Sequence, residues 1–136
     1  MSQANVEIVK RLTDAFNRRD IDVLAELATP DIEWVPVFAA RVEGDPYRGR
    51  AGIEAFLREV GETWEEFRPV PEEFRDAGER VLGLGRLETR GRSSGVPVLS
   101  PWAGIFDFRD GRISRIRTFL DHDEALRAAA LAELDG

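Results

Sequence analysis

The sequence predicts an α+β fold, and a change of period along the chain predicts it. Up to about residue 64 apolar residues recur mainly at helical spacing. Beyond Val70 they gather in β-branched and aromatic runs separated by turn residues. A last stretch, Asp121 to Leu134, returns to the helical pattern. The 136 residues fit one domain spanning 1–136, long enough to bury a core.

Val9, Leu12 and Phe16 mark one face of a first helix that ends near Asn17-Arg18-Arg19. Asp20 has the chemistry of an N-cap for a short second helix carrying Ile21, Leu24 and Leu27, which Pro30 stops. Ile32 to Val35 reads as a strand, and the segment through Gly49, with Gly44, Asp45 and Pro46, as a loop. Ile53, Phe56, Leu57, Val60 and Trp64 form the apolar face of a third helix.

Four strand-like runs follow, Val70–Phe74, Val81–Leu87, Val96–Phe108 and Ile113–Leu120. Turns are expected at Asp76-Ala77-Gly78, Gly91 to Gly95 and Asp110-Gly111. In the closing helix Asp121 and Glu124 have capping-box spacing, and Leu126, Ala129, Ala130 and Leu134 give an apolar stripe. The expected order is helix, helix, strand, helix, four-stranded antiparallel meander, helix.

Hydrophobic residues make up 43% and charged residues 33%, the balance of a folded soluble protein. The net charge of −7 is spread along the chain and disfavours phosphate backbones, so nucleic acid is not an expected partner. No run approaches the ~20 apolar residues of a membrane span, and no leader pattern opens the chain, so a cytoplasmic protein is expected. The absence of cysteine removes disulfides, thiolate nucleophiles and sulfur ligands. One histidine, His122, leaves only carboxylates to complete a metal site, so neither metal nor cofactor is expected.

The element order, with "DAFNRRDIDVLAELATPDIEW" at 14 to 34, "YRGRAGIEAFL" at 47 to 57 and "FRDGRISRIRTFLDHDEAL" at 108 to 126, resembles the SnoaL-like family of the ketosteroid-isomerase-like superfamily. The resemblance implies a curved sheet wrapped around helices as a cone, an apolar cavity at its wide end, and a homodimer. It does not select a chemistry, because this fold hosts isomerases, cyclases, hydrolases and non-catalytic proteins. The superfamily's steroid isomerases place a tyrosine, a protonated aspartate and a proton-moving aspartate where this chain has Leu12, Gly104 and Val35. None of these three can do acid, base or oxyanion work, so that mechanism does not carry over.

The remaining candidates are weaker. Gly91-Arg92-Ser93-Ser94-Gly95 matches the G-x-S-x-G elbow, but a strand rather than a helix follows, so it reads as a hairpin turn. His122 reads as an exposed residue in the first turn of the last helix. Asp121, where the last strand meets that helix, is the one carboxylate nominated as catalytic, and helix capping explains the same residue without function. Trp34, Tyr47 and Trp102 suit the wall or mouth of an apolar pocket or the core, and Trp64 the core. Gly83 and Gly85 face the same way and either widen the cavity or let the sheet curl. Thr118 completes the expected ligand contacts. Arg86 and Glu88 read as a salt bridge on the convex face.

Two functions follow from these expectations. One is an isomerase-, cyclase- or hydrolase-type enzyme acting on an apolar small molecule by proton transfer. The other is a module that binds or senses such a molecule unchanged. A homodimer is expected because helices are taken to cover only the concave face, leaving Leu99, Ala103, Ile105 and Phe119 outward, rimmed by Asp107, Arg115 and Arg117.

Overall fold

The computed structural model describes residues 2–36, 46–77 and 79–135. Helices α1 (Ser2–Asn17) and α2 (Ile21–Leu27) meet at Asp20, whose side chain accepts a hydrogen bond from Val23 N at 3.2 Å, as an N-cap does. Arg19 turns the chain there in the left-handed region, φ 58°. Strand β1 (Ala28–Val35) begins directly after α2, four residues earlier than expected, and contains Pro30. Its ladder with the last strand breaks between Ala28 and Glu33, so the missing proline N–H costs no bond in that ladder.

Residues 37–45 of the expected loop lie outside the described residues. At its end the structure has a two-residue strand, β2 (Tyr47–Arg48), paired with Glu33 and Trp34. Helix α3 (Gly49–Thr63) follows. Gly49 has φ +64° and a Cβ there would stand 3.1 Å from the Pro30 carbonyl, so both backbone conformation and space favour glycine.

Trp64, assigned by periodicity to the face of α3, is instead the first residue of β3 (Trp64–Asp76). That strand is more than twice its expected length and includes Pro69 and Pro71. The sheet order, β2-β1-β6-β5-β4-β3, explains this: β3 is an edge, where a residue without an N–H is tolerated. Strands β4 (Arg80–Gly91), β5 (Pro97–Arg109) and β6 (Arg112–Phe119) complete the antiparallel meander, and β6 pairs in parallel with β1. Asp110 and Gly111, both at positive φ, join β5 to β6 as a two-residue turn of the twist-matched type.

The six-stranded sheet curves around α1 and α3, giving the cone. Val9, Leu12 and Phe16 from α1 and Ile53, Phe56 and Val60 from α3 pack on Trp34, Leu87, Trp102, Phe106 and Ile116 of its concave face. The convex face is where expectation and structure part. Helix α4 (His122–Asp135) folds back over it, and Ala125, Leu126 and Ala129 cover Leu82, Leu84, Ala103 and Ile105. Ala103 and Ile105 are outward by parity, as expected, yet fully buried within the chain, so they form no bare patch. Part of the expected charged rim is tucked in beside them. Arg80 Nε donates to Asp107 at 2.6 Å, and Arg117 lies 3.9 Å from the same carboxylate. Burial, reinforced by Arg115, holds the Arg117 pKa below the usual arginine value.

His122 was expected to be exposed. It is half-buried, with Nε2 3.0 Å from the Gly85 carbonyl and 3.0 Å from that of Trp102. Those two residues face each other across β4 and β5, so the imidazole fastens the start of α4 to the sheet. Among the described residues no helix is long and apolar enough to cross a membrane.

Candidate functional site

The helical period of α1 and the alternation of β5 and β6 aim Leu12, Phe16, Trp102, Phe106, Ile116 and Thr118 at one space inside the cone. Trp34 from β1, Pro36 just after it, Phe56 from α3, and Phe67 and Pro69 from β3 close it. The cavity is small, with about 30 Å³ of room. Its aromatic rings touch in tilted pairs: Phe16 and Trp34 centroids are 5.7 Å apart, Trp34 and Phe56 5.2 Å, and Trp102 and Phe106 6.5 Å.

Polar atoms are scarce here. Thr13 donates to Val9 O at 2.9 Å and Thr118 to Val35 O at 3.4 Å, so both hydroxyls are occupied by backbone. The indole N–H groups of Trp34 and Trp102 are the other polar atoms on the lining side chains. No titratable side chain is among the described lining residues. Just after α1, Arg19 donates to Phe16 O at 2.6 Å and to Phe67 O at 3.0 Å, with its guanidinium 4.6 Å from the Phe16 ring centre. Burial lowers its pKa from the ordinary arginine value.

Of the residues expected to contact a ligand, Trp34, Trp102 and Thr118 are brought together on this cavity. Tyr47 is not with them: it is buried against Phe56 and donates its hydroxyl to Glu59 of α3. Gly83 faces inward, but its missing Cβ would rest 3.6 to 3.7 Å from the rings of Phe74, Phe106 and Trp102, so those rings stand between it and the opening. At Gly85 a Cβ would lie 2.0 Å from Val70 O, so this glycine admits the backbone of β3. Asp121 is exposed and accepts from Glu124 N at 3.1 Å, the N-cap of α4, away from the cavity.

The three positions that carry steroid isomerisation elsewhere can now be placed. Leu12 lines the cavity, and Val35 is half-buried on β1. Gly104 lies under the rings of Phe106 and Trp102, whose atoms would come within 2.8 and 2.9 Å of a Cβ. An aspartate there would force both rings to shift, so the oxyanion-binding position is occupied by aromatic carbon. The G-x-S-x-G segment is a turn between antiparallel strands, closed by Gly95 N donating to Gly91 O at 2.9 Å. Arg86 bridges Glu88 at 3.0 Å and Glu72 at 2.7 Å on the outer side. Among the described residues no group of three or more His, Asp or Glu is placed to hold a metal ion.

Sequence reading missed Thr13, Phe16, Phe56, Phe67 and Ile116 as cavity residues. The signal was present as helical spacing and strand parity, but it also describes an ordinary core.

Residues 9–116 match the model of the SnoaL-like domain. The chain belongs to the SnoaL-like family. Solved structures agree. An NTF2-like protein of unknown function from Burkholderia pseudomallei has 27% identity and a TM-score of 0.78, with 93% of this chain and 97% of that one covered. An NTF2-like protein from Burkholderia xenovorans has 31% identity and a TM-score of 0.75 over 94% and 97%. TerC, co-crystallised with polyporic acid, has 27% identity and a TM-score of 0.77 over 91% and 96%. Comparison with curated proteins finds no match.

Proposed function

We propose that this SnoaL-like cone holds a small apolar molecule without transforming it. The observation that carries the reading is the chemistry of the described lining: aromatic and aliphatic carbon, two threonine hydroxyls already bonded to backbone, and no acid or base. Proton transfer needs a group of suitable pKa within hydrogen-bond reach of the substrate. Asp121, the carboxylate nominated for that work, is spent on capping α4 in open solvent. The binding reading is therefore preferred to the enzymatic one. That TerC was co-crystallised with polyporic acid supports the idea that this fold accepts an organic ligand.

The cavity of about 30 Å³ is far below the ~300–1,000 Å³ of small-molecule sites. Binding therefore requires the rings of Phe16, Trp34 and Trp102 to part, and affinity is reduced by whatever that opening costs. Titration with the neutral dye N-phenyl-1-naphthylamine tests the reading. Saturable binding with quenching of tryptophan emission is expected, weakened in Leu12→Phe, which narrows the cone. Equal binding by wild type and a folded Leu12→Phe variant would count against it.

The same proposal includes a homodimer, now through a different patch. With Ile105 covered by α4, the exposed apolar surface is at the β4–β5 hairpin, where Val96 and Leu99 are 56% and 68% exposed. We place its action in the cytoplasm, which suits a chain without cysteine.

A further inference from the structure

A second concavity lies beside the α1–α2 junction. Phe16 and Phe67 line the cone, and Arg19, bonded to both of their carbonyls, lines a groove of about 490 Å³ between α2, α3 and the start of β3. Ile21, Leu57 and Trp64, each half-buried, give it apolar walls. Its volume falls inside the ~300–1,000 Å³ range of small-molecule sites.

Charge in the groove is unbalanced. Of its two carboxylates, Glu65 lies 3.4 Å from Arg90, outside the groove, and Glu54 lies 3.8 Å from Arg50, which Asp22 also holds at 2.5 Å. Arg58, on the groove wall, makes no hydrogen bond or ion pair with a described residue. Arg92 is pinned at the rim by two bonds to the end of α3, Nε to Gly61 O at 2.5 Å and its backbone N–H to Thr63 O at 3.2 Å. Neither bond engages a carboxylate, and no ion pair joins Arg92 to a described residue. Arg58 and Arg92 line the groove with the Trp64 indole and have no carboxylate partner among the described residues. Guanidinium groups bind carboxylate, sulfonate or phosphate through paired N–H groups, and an indole face takes a flat ring.

We propose that this groove is a second binding site, separate from the cone, for a small planar aromatic anion held by Arg58, Arg92 and Trp64. Gly61 supplies a clean test. It lines the groove, and a Cβ added there would meet nothing within 4 Å, so a larger side chain starts in open space. Leucine also favours the helix more than glycine does.

The probes are 1-anilinonaphthalene-8-sulfonate, a planar aromatic anion, and the neutral N-phenyl-1-naphthylamine, each titrated by fluorescence into folded variants. Gly61→Leu should weaken the sulfonate about tenfold or more by occupying its space. Arg58→Gln with Arg92→Gln should weaken the sulfonate by about tenfold, as two exposed ion pairs at the upper end of their usual worth would, and leave the neutral dye unchanged. Leu12→Phe, which narrows the cone, should leave sulfonate affinity intact. Unchanged sulfonate binding in Gly61→Leu would overturn the proposal. So would equal losses for both dyes in the arginine variant, or loss of the sulfonate in Leu12→Phe.

Discussion

Alanine at Gly85 and alanine at Gly83 should have opposite effects on stability, although the two positions share one strand and one face. At Gly85 the new Cβ would lie 2.0 Å from Val70 O and 2.8 Å from Pro71 Cα, so the backbone of β3 must retreat by at least about 1 Å. That movement opens the β3–β4 ladder where Val70 and Pro71 pair with Arg86 and Gly85. Overpacking against backbone together with lost hydrogen bonds should cost about 3 kcal/mol or more. At Gly83 the nearest atoms are aromatic carbons at 3.6 to 3.7 Å, ordinary contact. Alanine there should stabilise by about 0.4–1 kcal/mol, because it restricts the unfolded chain. Thermal unfolding of both variants reads the difference, with Gly85→Ala expected to melt about 10 °C below wild type and Gly83→Ala a few degrees above. A Gly85→Ala variant melting within about 1 °C of wild type would refute the close approach of β3.

Three other outcomes are expected. Asp121→Ala should lower stability by about 1 kcal/mol through loss of the α4 cap, with Asp121→Asn nearly neutral and dye binding unaltered in both; impaired binding in either would return Asp121 to the site. Ile105→Ala should cost about 2–5 kcal/mol by chemical denaturation, since the side chain is fully buried under α4, and a cost under about 1 kcal/mol would show that α4 does not cover it. Light scattering at micromolar concentration should give twice the chain mass for wild type and a smaller mass for Leu99→Glu; a wild-type monomer would remove the homodimer from the account.

The chain's local signals and its tertiary structure contribute unequally to what could be read from it. Asp20, Asp110-Gly111 and the apolar faces of α1 and α3 act within a few residues of sequence, so their structural roles were legible. The bounds of β3 were not, because Pro69 and Pro71 forbid a central strand but not an edge, and the edge position is set only when the whole sheet is ordered. Trp64 kept the helical period of α3 although the helix ends one residue before it. His122 and Gly85 were misread or left open for one reason. Their partners, the carbonyls of β4 and β5 for the first and the backbone of β3 for the second, are fixed by strand register. At the site, parity and aromatic character found Trp34, Trp102 and Thr118. Tyr47 has the same character but donates to Glu59, and nothing local distinguishes a tyrosine lining a cavity from one packed behind it. The groove joins Arg58 to Arg92 only after β3 and β4 have paired.

The central claim is that the cone accepts an apolar molecule and presents no acid or base to it. A crystal structure of the protein with N-phenyl-1-naphthylamine tests it most directly. The account predicts the dye enclosed between Leu12, Trp34 and Trp102, with those rings parted to admit it and no carboxylate or imidazole in contact with it. A carboxylate or His122 against the bound dye, or a dye bound only outside the cone, would contradict it.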